Sequence, residues 1–80
     1  MPTVLRLDGY RFYFYSHEPN EPPHVHVDKG GATLKAWLDP VVLARASGFR
    51  PREINGIMAM VGAHRLMLVE AWHEYFGQSS

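Results

Sequence analysis

Two imidazoles and a carboxylate occupy every second position of His24-Val25-His26-Val27-Asp28. In an extended strand that spacing puts His24, His26 and Asp28 on one exposed face and Val25 and Val27 on the other. Same-face neighbours lie about 6.5–7 Å apart, close enough for both rings to reach one ion. Three readings follow. His24, His26, Asp28 and Glu21, with His17 or Glu18 in reserve, form a nitrogen and oxygen donor set that suits zinc, iron or manganese, so a divalent transition metal is a candidate cofactor. Without metal, one imidazole acts as base and the other as acid on a phosphodiester, with Arg11 or Lys35 near the anion. Without chemistry, the rings pack on a solvated strand face or meet a partner protein.

Pro22 and Pro23 precede the row, fix φ and push the residue before each into an extended shape. The strand they introduce needs neighbours. Thr3 to Leu7 reads as a strand closed by Asp8-Gly9, the favoured two-residue hairpin turn. Tyr10 to Ser16 returns with Phe12 and Phe14 inward and Tyr13 and Tyr15 covering the other face, their hydroxyls reaching water. After the loop from His17 to Pro23 and the strand from His24 to Lys29, Gly30-Gly31 marks a second tight turn. Ala32 to Leu38 then points Leu34, Ala36 and Leu38 at the core. Val41 to Ala46 fits a fifth strand, with a helical turn as the alternative.

From Pro51 the period lengthens. Ile54, Ile57, Met58, Val61, Leu68, Trp72, Tyr75 and Phe76 share one helix face. Pro51 suits the first turn, Glu53 complements the dipole, and Gly77 suits the C-terminal stop. Arg50 is a poor N-cap, and Gly56 and Gly62 each cost roughly 1 kcal/mol in a helix interior. Strands first and a helix last make an α+β fold: an antiparallel meander of four to five strands, then one long C-terminal helix packed on one sheet face. Residues 1–80 read as a single domain.

Composition narrows the function classes. Eight basic residues balance eight acidic ones, so a nucleic-acid role needs local clustering that the totals hide. The absence of cysteine excludes disulfides and thiolate metal sites. No segment has the length of a membrane span, and Arg6 and Asp8 interrupt the early apolar run that a signal peptide would need. A cytoplasmic protein is expected, and so small a core makes homo-oligomers a natural form.

Two further groups compete with the histidine row. Arg45, Arg50 and Arg52 surround the loop before the helix, where backbone donors could help them hold a phosphate. Trp72 and Phe76 share the buried helix face and read as an aromatic lock, with His73 and Glu74 turned aside. His64 and Arg65 interrupt the apolar register and belong at the edge of the buried stripe.

Met1-Pro2-Thr3-Val4-Leu5-Arg6, Asp8-Gly9-Tyr10-Arg11-Phe12, Asn20-Glu21-Pro22-Pro23-His24-Val25-His26-Val27, Gly48-Phe49 and Glu70-Ala71-Trp72-His73 resemble the small bacterial proteins grouped as domain of unknown function 4160. The Glu-Pro-Pro-His-x-His segment is the most specific part. Such proteins are often encoded beside a small protein of the domain of unknown function 2442 type, an arrangement that looks like a toxin–antitoxin pair. The resemblance therefore implies a small partner protein encoded nearby and a growth-inhibiting role. Arg50 departs from the serine-like cap usual in the family, and Ile57 to Val61 is more apolar than is common there.

Two functions are consistent with these residues. One is a toxin-like component acting on RNA through His24 and His26. The other is a non-enzymatic binding or regulatory module, antitoxin-like or oligomeric, with more apolar surface at Ile57 to Val61 than one sheet face covers.

Overall fold

Asp8 and Gly9 both take positive φ, 52° and 83°, and fold strand β1 (Thr3–Leu7) back on β2 (Tyr10–Tyr13). The computed structural model describes residues 3–15 and 20–77. The expected loop ligands His17 and Glu18 lie outside that range. Gly30, at φ 61°, turns β3 (His24–Lys29) into β4 (Ala32–Leu38), and Asp39-Pro40 turns β4 into β5 (Val41–Ser47). The five strands pair antiparallel in the order β1-β2-β3-β4-β5, and 41–47 is strand rather than helical turn.

Alternation decides what each face carries. Phe12, Phe14, Val25, Val27, Leu34, Ala36 and Leu38 point to one side and are almost fully buried. Their cover is α1 (Pro51–Ala63) and α2 (Arg65–Phe76), which contribute Ile57, Val61, Leu68 and Trp72 to the same core. Glu53 accepts the Arg50 backbone N–H at 2.9 Å, which offsets the missing side-chain cap. Gly77 closes α2 at φ 63°.

The single long helix is therefore corrected to two. His64 leaves the helical region at φ −107°, ψ 17°, and its Nδ1–H joins its backbone N–H on the Met60 carbonyl, both at 3.0 Å. Arg65 then reaches across to the sheet, donating from Nε to the Leu38 carbonyl and from Nη2 to Asp39 Oδ1, each at 2.9 Å. The break falls where two polar side chains interrupt the apolar register. Val61 before it and Leu68 after it are both fully buried in the core.

Both edge strands carry a bulge. Thr3 faces Tyr13 while Leu5 faces Phe12, leaving Val4 as the extra residue; Lys35 faces Arg45 while Ala36 faces Leu43, leaving Ala44. Such irregularities blunt the tendency of a free edge to pair with another chain. Ile57 and Val61 are fully buried, so the expected excess of exposed apolar surface is not on that run. It is on β5 and α2, at Val42, Leu43, Leu66 and Met67. Among the described residues no helix is long and apolar enough to cross a membrane.

Candidate functional site

The histidine row faces away from the helices. Strand pairing lines up Tyr13, His26, Lys35 and Arg45 across four strands, with His24, Trp37 and Val42 in the next row and Arg11, Asp28, Thr33 and Ser47 on the other side. His24 and His26 do share a face, with ring centroids 5.1 Å apart and planes at 86°.

That face is not solvated at its centre. His24 is 1% exposed and His26 5%, which corrects the expectation of an open face. Aromatic rings account for much of the burial. Tyr15 meets His26 edge-on at 4.5 Å, Tyr13 stacks on it at 5.5 Å, and Trp37 meets His24 edge-on at 5.6 Å. Arg11 and Lys35 lie over the rings of Tyr13 and Trp37 at 4.4 and 4.7 Å.

Local bonds set the chemistry each group can do. Nδ1 of His24 donates to the Pro22 carbonyl at 2.9 Å, since a carbonyl can only accept. The neutral ring therefore carries its lone pair on Nε2, the form that serves as base or metal donor. This is how the double-proline lead-in acts on the site: the Pro22 carbonyl orients the first imidazole. Glu21 bridges Lys35 at 2.6 Å and lies 3.7 Å from His24 Nδ1. Lys35 is buried, with the Glu21 carboxylate as its partner there.

Asp28 ends the row differently from the expectation. Its Oδ1 accepts the Tyr13 hydroxyl at 2.9 Å. The hydroxyl does not reach water: Tyr13 is 3% exposed, and burial, with hydrogen bonds to Tyr15 and Asp28, pushes its pKa well above the ordinary phenol value. Of the four proposed metal donors, Asp28 and Glu21 are thus engaged by Tyr13 and Lys35. Among the described residues no three His, Asp or Glu side chains are placed to hold a metal ion.

The candidate anion site divides. Arg50 and Arg52 line a shallow cavity of about 350 Å³ with Pro51 and Glu53, whereas Arg45 lies opposite Lys35 on the sheet. A second cavity of about 390 Å³, between Lys29, Gly30, Gly48, Phe49 and Glu53, has neither histidine of the row in its lining. His73 is exposed beside Trp72. Tyr13, Tyr15 and Trp37 are site residues that spacing alone did not single out. Alternation places each on a face, but only the pairing register puts those faces together.

A comparison with protein families matches residues 9–73 to the domain of unknown function 4160. The chain belongs to that family. The match spans strands β2 to β5 with the histidine row, all of α1 and most of α2, so the site just described lies within the region shared with the domain of unknown function 4160, while β1 precedes it. No curated protein and no solved structure matches the chain.

Proposed function

We propose that this member of the domain of unknown function 4160 family is the toxin-like component of a small two-protein module, acting on RNA in the bacterial cytoplasm. His24 and His26 are the working pair. The observation that carries the reading is their seating 5.1 Å apart on one strand face, with Lys35 and Arg45 continuing the row. His24, its tautomer set by the Pro22 carbonyl, takes a proton from the attacking hydroxyl through Nε2; His26 returns one to the leaving oxygen. Lys35 and Arg11 offset charge on the phosphate. Reaction needs both rings within about 3 Å of the substrate, so the aromatic cover must move aside.

A second reading, a non-enzymatic module that binds the neighbour-encoded protein or a second copy, draws on a different observation. The histidines are buried, while Leu66 and Met67 are 70% and 38% exposed on α2.

Inducible expression in a bacterial host, with and without the neighbouring gene, separates the two. Growth arrest by the wild type, relieved by the neighbour and absent in the His24→Ala, His26→Ala double variant, is the expected result. Equal harmlessness of both proteins would overturn the toxin reading.

A further inference from the structure

Resting on the RNA-directed reading above, we propose that the helix-free sheet face binds single-stranded RNA, stacking bases on Trp37 and holding phosphates with Arg6, Arg11 and Arg45. The balanced total charge conceals an uneven placement. Arg6 lies opposite Arg11 and Arg45 opposite Lys35, so four of the eight Lys and Arg residues share this face. Two carboxylates lie among them, Asp28, which accepts from the Tyr13 hydroxyl, and Glu21, which pairs with Lys35. Four cations against these two carboxylates leave the described part of the face net positive toward an incoming strand.

Its geometry also discriminates between nucleic-acid forms. Arg6 and Arg45 are exposed and stand on the two edge strands, about 19 Å apart at the usual strand spacing. Between them run Tyr13, Tyr15 and Trp37. Trp37 is half-buried, and its cross-strand neighbour Val42 is 47% exposed on the same face, so the aromatic strip opens to solvent toward β5. Cations flanking aromatic rings on a sheet face suit a strand whose unstacked bases offer π-faces while its phosphates offer charge. A duplex keeps its bases inward and leaves the rings without a partner.

The test is fluorescence anisotropy of a labelled oligouridine of about 12 nucleotides, a length within the usual range for such platforms. Saturable binding is expected, weaker for a duplex of equal length. Trp37→Ala should weaken it about tenfold, the loss of one stacked base. Arg6→Ala and Arg45→Ala should each flatten the dependence of log affinity on log salt by about 0.7, while Arg52→Ala on the helix side leaves it unchanged. Arg6 and Arg45 are exposed, so their removal leaves the core intact. Absence of binding at low salt, preference for the duplex, or sensitivity to Arg52 rather than Arg6 and Arg45 would overturn the proposal. Growth plays no part in this measurement. Binding by a harmless protein keeps the RNA face and removes the toxin, and toxicity without binding does the reverse.

Discussion

Tyr13 and Asp28 are joined across β2 and β3 by a 2.9 Å hydrogen bond, and this bond separates the acid of the histidine row from the imidazoles. Strand alternation makes His24, His26 and Asp28 look like a triad. The tyrosine on the neighbouring strand turns them into a pair plus a fastened carboxylate.

Tyr13→Phe removes the hydroxyl and keeps the ring that stacks on His26. Loss of one part-buried hydrogen bond to a charged acceptor should lower stability by roughly 1.5–3 kcal/mol, read from the denaturant midpoint.

The same hydroxyl makes stability fall at high pH. Its folded pKa lies above the unfolded value of about 10, so the native state holds its proton after the unfolded chain has released it. The contribution is complete below about pH 10 and declines as pH rises beyond that point. Denaturant midpoints measured on the alkaline side should fall less steeply in Tyr13→Phe than in the wild type.

Arg65 should tolerate no conservative replacement. Its two donors serve the Leu38 carbonyl and Asp39 together, a fork that lysine does not present. Arg65→Lys should cost about 1 kcal/mol in thermal or chemical denaturation, because the Leu38 carbonyl loses its side-chain donor.

Glycine substitutions should divide by location. A methyl at Gly56 or Gly62 meets nothing within 4 Å, so alanine at each should stabilise by roughly 0.5–1 kcal/mol. Gly48 has φ +90° and would place a methyl 3.0 Å from the Ala32 Cβ. Gly48→Ala should destabilise by about 1–3 kcal/mol. Denaturation curves of the three variants check all of this.

Much of the sheet was legible because its signals are local. Asp8-Gly9 and Gly30-Gly31 announce turns, and Phe12, Phe14, Leu34, Ala36 and Leu38 fall on the buried face that alternation assigns them. The helix break was only half legible. His64 and Arg65 visibly disrupt the apolar register, but Val61 and Leu68 are also seven apart, which an unbroken helix would satisfy equally. What decides the matter is the Arg65 grip on Leu38 and Asp39, a contact between residues far apart in the chain. The site was illegible for the same reason. The pairing of Tyr13 with His26 and of Trp37 with His24 follows from register, which no single strand specifies.

Cleavage of a labelled RNA by purified protein tests the His24–His26 centre most directly. His24→Ala and His26→Ala should each reduce the rate by at least about a hundredfold, the usual contribution of one general acid or base, while Arg52→Ala retains it. Undiminished cleavage in both histidine variants, or none by the wild type, would contradict the assignment.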